Sequence, residues 1–224
     1  MTLLENAGVM IEAEGLRIYI DPILLPDNYT EYPADTILIT HPHDDHYHYA
    51  SIEKIATEDT IFIMPENMST EVARHDAIAV NPGDSVQVGT INITAFYMYT
   101  YPPPDTDYEA SHPAENNWTS YIIDINGFTI FHAGDSKDID EYEQLTGHID
   151  VAMLPLGPGC QSMAGGEVVS VLRTIEPQYF IPIHFENGAN DVFCETYDTQ
   201  IEYEGIEIVN LDHFESFVFE SESF

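Results

Sequence analysis

The chain has 224 residues, 44% of them hydrophobic, enough for a sizeable core, and its 5 Lys and Arg stand against 40 Asp and Glu for a formal net charge of -35. That balance argues against nucleic acid as a partner, because neutralising a row of phosphates takes clustered cations. Cys160 and Cys194 form neither a disulfide framework nor a CxxC pair and read as packing residues.

Short β-rich runs separated by turn residues fill the first half: Val9–Ala13, Leu16–Ile20, Thr36–Thr40, Thr60–Met64, Ser85–Val88 and Ile91–Tyr99. Alternation is clearest from Ile91 to Phe96, the period of a strand with one buried face. Helices are expected over His48–Thr57 and Ser69–Arg74. The stretch from Tyr97 to His112, with three consecutive prolines, reads as a long loop, and loops of that length tend to carry function or motion. A second strand series follows at Ser120–Ile125, Phe128–His132, Val151–Leu154, Tyr179–Ile183, Ile206–Val209 and Phe217–Phe219, with helices expected at Asp138–Leu145, Gly166–Ile175 and Asp191–Tyr197. Asn126-Gly127 is a hairpin signal between two of these strands. Strands dominate while helices recur in both halves, and no composition break marks a linker. The pattern predicts one α/β domain over residues 1–224, with two mixed sheets packed together and helices outside. No apolar run approaches the ~20 residues of a membrane span, and the N-terminus lacks the basic and apolar regions of a signal peptide. A soluble, cytoplasmic protein is therefore expected, and its self-repulsion suggests a high-salt environment, since salt shortens the range of charge repulsion.

The chemistry concentrates at the end of the third run, where residues 39–48 hold four histidines and two aspartates. His41 and His43 are two apart, so at a strand end both side chains leave on one side. Asp45 and His46 follow as the chain turns, which lets four donors converge without a distant loop. Imidazole plus carboxylate suits zinc, manganese or iron, and the lack of thiolates argues against a purely structural zinc. Asp44 is expected to point away, and His48 to fall in the helix.

His41-Pro-His-Asp-Asp-His46 resembles the metal motif of the metallo-β-lactamase superfamily. The segments Ile18-Tyr-Ile-Asp-Pro22, His132-Ala-Gly-Asp-Ser136 and Ile181-Pro-Ile-His-Phe185 resemble that family's other motifs in order. The run from His112 to Tyr121, with Met153–Gly157 and Ser162-Met163, is similar to the subfamily of phosphorylated-ascorbate lactonases and related metal-dependent hydrolases. Tyr101-Pro-Pro-Pro104 departs from that subfamily's pattern.

The resemblance implies a four-layer αββα sandwich and two divalent ions, of zinc, manganese or iron. One ion would take His41, His43 and His112, the other Asp45, His46 and His184, with Asp135 bridging. Asn116 and Asn117 compete with His112 for its place. Asp21 would be a structural hydrogen-bond partner and His132 would orient a ligand, while His75, His148 and His213 match no motif. The implied reaction is hydrolysis of an ester, lactone or phosphoester by a metal-bridging hydroxide, with Asp45 orienting it or taking its proton. Two divalent cations outweigh Asp45, Asp135 and a hydroxide, so a small anionic substrate is expected. The rival readings are a metal-dependent nuclease or phosphodiesterase, a di-iron redox enzyme, and a metal-loaded scaffold without turnover.

Overall fold

The computed structural model describes residues 1–157 and 161–219, so Cys160 lies outside the described residues. The first half builds a sheet from β1 (Thr2–Leu3), β2 (Val9–Ala13), β3 (Leu16–Ile20), β4 (Thr36–Leu38), β5 (Ile61–Pro65) and β6 (Ile78–Val80), in that spatial order. Its first three strands are antiparallel and β3 to β6 run parallel. The second sheet has the order β13-β12-β11-β10-β9-β8-β7. Its strands are β7 (Ser85–Val88), β8 (Ile91–Tyr97), β9 (Thr119–Ile125), β10 (Phe128–His132), β11 (Val151–Pro155), β12 (Tyr179–Ile183) and β13 (Glu207–Ile208). Strands β10 to β13 are parallel and β7 to β10 antiparallel, so both sheets are mixed, as expected.

The alternation of side chains sorts the first sheet's residues onto two faces. Ile18, Ile20, Leu38 and Ile63 pack with Ile93, Ile123 and Phe131 of the second sheet. Their neighbours Tyr19, Ile37, Phe62 and Met64 pack outward with Ile52 and Ile55 of α1 (Tyr49–Ile55). A strand buried on both faces needs a continuous apolar run, which β3, β4 and β5 have. On the far side α3 (Gly165–Ile175) buries Val168, Val171, Leu172 and Ile175, and α4 (Ala189–Tyr203) buries Phe193 and Ile201. Burying each such side chain is worth about 1.5–3 kcal/mol. The resulting order is helix, sheet, sheet, helix. The short α2 (Ser69–His75) buries no residue.

Asn126 and Gly127 join β9 to β10 with φ of 55° and 91°, the two positive values a tight hairpin turn requires. Three expectations are corrected. Asp138–Leu145 is a 3-10 turn over Asp140–Leu145, confined between buried Ile139 and the turn at Gly147. Phe217–Phe219 is no strand; only Ser216 bridges to Thr2, and the Phe217 and Phe219 rings pack on Tyr179 instead. The last helix, Ala189–Tyr203, is longer than the expected Asp191–Tyr197, which stopped short where the second half turns polar and exposed apart from Ile201 and shows no apolar stripe.

Candidate metal centre

The residues singled out by sequence stand just beyond the C-terminal ends of parallel strands, the edge where open α/β sheets place ligands. Asp21 follows β3, His41 to His46 follow β4, Asp135 follows β10 and His184 follows β12. His112 arrives differently. The loop after β8 is closed at its base by Thr100, whose N–H donates to His112 O at 2.8 Å and whose hydroxyl accepts from His112 N at 3.1 Å. This closure swings a fully buried His112 ring into the centre, its Nε2 3.2 Å from His41 Nε2.

All seven predicted side chains converge. His41, His43 and His112 form one set and Asp45, His46, Asp135 and His184 another, each with donor atoms within 4.8 Å of one another. Asp135 reaches both, with Oδ1 3.1 Å from His46 Nε2, and Oδ2 3.2 Å from His184 Nε2 and 3.6 Å from His112 Nε2. His184 Nε2 also lies 3.4 Å from Asp45 Oδ2. Gly134 sets the turn before Asp135 at φ 57°, where a Cβ would stand 2.5 Å from Met98 Sδ.

Residues 1–184 match the model of the Beta-lactamase superfamily domain. The chain belongs to this superfamily. It is similar to a metal-dependent hydrolase of Pyrococcus furiosus, 28% identical over 203 residues that cover 83% of this chain and 84% of the relative. Among solved structures, a Parabacteroides distasonis protein assigned as a metal-dependent hydrolase superposes with a TM-score of 0.80 at 25% identity, covering 94% of this chain and 91% of that one. A metallo hydrolase of the archaeon Ignicoccus hospitalis shares the fold, with a TM-score of 0.79 at 18% identity over 99% and 98% of the two chains.

In this beta-lactamase superfamily member three of the five inward-facing imidazoles are held from behind. His46 Nδ1 contacts Asp21 Oδ2 at 2.7 Å, His41 Nδ1 the Thr40 hydroxyl at 2.9 Å, and His112 Nδ1 the Ser111 hydroxyl at 2.9 Å. Such contacts fix the tautomer that leaves Nε2 facing the centre. Asp21 is fully buried and also accepts from Thr40 N and Thr40 Oγ1 at 2.8 and 2.6 Å, the structural role expected of it. His132 does not orient a ligand side chain. Its Nε2–H donates to Ala7 O at 2.7 Å while Nδ1 accepts from Gly134 N at 3.2 Å, so it braces the turn that carries Asp135. His48 stands just before α1 rather than within it, at the N-cap position without a side-chain capping bond, and meets Ser51; Asp44 is exposed, and His75 and His213 stack on Phe62 and Phe185.

The two sets differ electrostatically. Burial lowers His41 well below the ordinary histidine range, helped by nearby His46, and burial lowers His112 to about 4 and also depresses His43. In the other set burial alone would lower His184, yet the carboxylates of Asp135 and Asp45 raise it to about 9. Burial opposes charge on His46 too, and Asp135 and Asp21 overcome it and push it well above its ordinary value. The His184 contact lowers Asp45; Asp135, raised by burial, is held well down by His46 and His184. The set rich in carboxylate thus favours the cationic form of its imidazoles, and the three-histidine set the neutral form.

Two contributors escaped the sequence. Trp118 packs against His41, His43 and His112 at ring distances of 5.3, 5.1 and 5.6 Å, walling the three-histidine set from one side. Asn6, in the turn between β1 and β2, donates from Nδ2 to Asp45 O at 2.9 Å and lies 3.4 Å from Asp45 Oδ2. Its only local signal is an Asn two residues before Gly8, ahead of a strand.

Proposed function

We propose that this chain is a dinuclear metal-dependent hydrolase that cleaves an ester, lactone or phosphoester bond in a small anionic substrate. One observation carries the reading: His46 Nε2, His184 Nε2 and both Asp135 carboxylate oxygens are buried, within ion-pairing distance, and without an aligned hydrogen-bond partner. Leaving such groups unsatisfied costs about 1–3 kcal/mol each, a cost that a shared cation offsets. Imidazole and carboxylate without thiolate fit zinc, and also manganese or iron.

In this reading His41, His43 and His112 hold one ion, Asp45, His46 and His184 the other, and Asp135 serves both. Bound divalent cations supply a nucleophile from water near neutral pH and polarise the oxygen of the bond being cleaved. The side chains do the rest. Asp21, Thr40 and Ser111 hold three imidazoles in one tautomer, and Trp118 keeps water from one flank. Asp45 is the accessible carboxylate, with its side chain 42% exposed against 0% for Asp135, and so is placed to orient the attacking water and take up its proton. Two divalent cations outweigh two carboxylates, which favours a substrate carrying carboxylate or phosphate. The likeness to hydrolases of P. furiosus and P. distasonis supports the same reaction class.

The test is metal content by mass spectrometry, with turnover of generic lactone, ester and phosphodiester substrates. Two divalent ions per chain are expected, with turnover abolished in His43→Ala. A metal-free native protein, or equal hydrolysis by His43→Ala, refutes the proposal, and metal without turnover leaves a binding scaffold.

A further inference from the structure

The turn Glu5-Asn6-Ala7-Gly8 touches four separate parts of the centre. Gly8 presses against the strand end that carries Asp21, where a Cβ would stand 2.9 Å from Asp21 O. Ala7 O accepts from His132 at 2.7 Å, and Glu5 lies 3.2 Å from His213 Nδ1, whose ring stacks on Phe185 at 5.1 Å. Asn6 itself bonds to both halves of the molecule. Its carbonyl accepts from His184 N at 2.9 Å, beyond β12 in the second sheet, while its side-chain amide donates to the backbone of Asp45 on the first sheet's side.

Both Asn6 and His184 have left-handed backbone, φ 58° and 51°, which Asn tolerates better than most residues. With its side chain 42% exposed, Asp45 would sample several rotamers, and the Asn6 amide at 3.4 Å from Oδ2 favours the one that faces His184. Gly8, Ala7 and Glu5 anchor the turn without using the Asn6 side chain, so that amide is free to act on Asp45 alone.

We propose that Asn6 is a positioning residue that sets Asp45 against His184 and thereby tunes the affinity of the Asp45–His46–His184 set, leaving the three-histidine set untouched. This rests on the dinuclear reading above. Partners behind a ligand typically account for 10–100-fold in metal affinity.

The experiment titrates Zn2+ into metal-free Asn6→Gly against a chelating dye, with melting temperature measured before metal is added. Glycine keeps the left-handed backbone and the carbonyl and removes only the amide. Asn6→Ser, whose hydroxyl falls short of Asp45, repeats the test without added backbone freedom. One of two equivalents should weaken by about tenfold or more, the other should stay unchanged, and the metal-free melting temperature should hold. In an Asp45→Ala background, with no carboxylate left to position, the same substitutions should no longer change metal binding. Unchanged binding, equal weakening of both equivalents with a lowered melting temperature, or an effect that persists without Asp45 each overturn the inference alone. A wild-type chain that takes up no zinc overturns the dinuclear reading, and this inference with it.

Discussion

Replacing Asp21 tests whether the centre is braced from beneath. Its fully buried carboxylate is the acceptor for the Thr40 amide, the Thr40 hydroxyl and His46 Nδ1. Asp21→Ala strands these groups at about 1–3 kcal/mol each. The Thr40 hydroxyl still accepts from His41 Nδ1–H at 2.9 Å and is only half stranded, so the sum lies nearer two losses than three. Roughly 3–6 kcal/mol is expected, a large part of the roughly 5–15 kcal/mol that stabilises a typical protein. At about 2–4 °C per kcal/mol for a chain of this size, the melting temperature should fall by about 6–24 °C. Asp21→Asn keeps an acceptor for Thr40 N but sets an amide donor against His46 Nδ1–H. Stability should then fall less, while metal affinity drops by about 10–100-fold as the His46 ring loses its orientation. Urea and thermal unfolding in EDTA, followed by zinc titration, read both effects. An Asp21→Ala protein within about 1 kcal/mol of wild type, against the cost of stranding buried donors, refutes the reasoning.

Two further outcomes follow from charge. His184 is raised to about 9 in the metal-free chain, against roughly 6.5 when unfolded, so its stabilising contribution is complete below about 6.5 and lost as pH rises towards 9. His112, lowered to about 4 by burial, works the other way, and stability falls as pH drops from about 6.5 towards 4. Unfolding in EDTA should therefore be hardest near pH 6.5, with the alkaline limb flattened in His184→Gln, and a flat profile above 6.5 contradicts the assignment. Four of the five cationic side chains are already held in ion pairs with Glu12, Asp27, Glu167 and Glu204, which leaves most of the 40 acidic residues mutually repelling. Raising KCl from about 0.1 to 1 M shortens the screening length from about 10 to 3 Å and should raise the urea midpoint; a midpoint that stays constant or falls sinks this account.

The β-strands near Ile18, Ile37, Ile93 and Ile181 were readable because burial on one or two faces imposes a pattern within a few residues. Strands β1 and β6, of two and three residues, are too short to carry one, and were missed. His41, His43, Asp45 and His46 were equally readable, since their spacing along one turn already brings them together. What the sequence by itself determined, then, was the layered α/β class and the identity of the seven convergent side chains, the latter through motif resemblance. The tertiary structure decided which of them meet and which side chain each support holds. Asp21 braces His46 from 25 residues away, His112 meets His41 across 71, and Asn6 reaches Asp45 across 39. Local periodicity reports only on near neighbours, whereas these contacts exist because two sheets pack face to face and bring remote strand ends to a common edge.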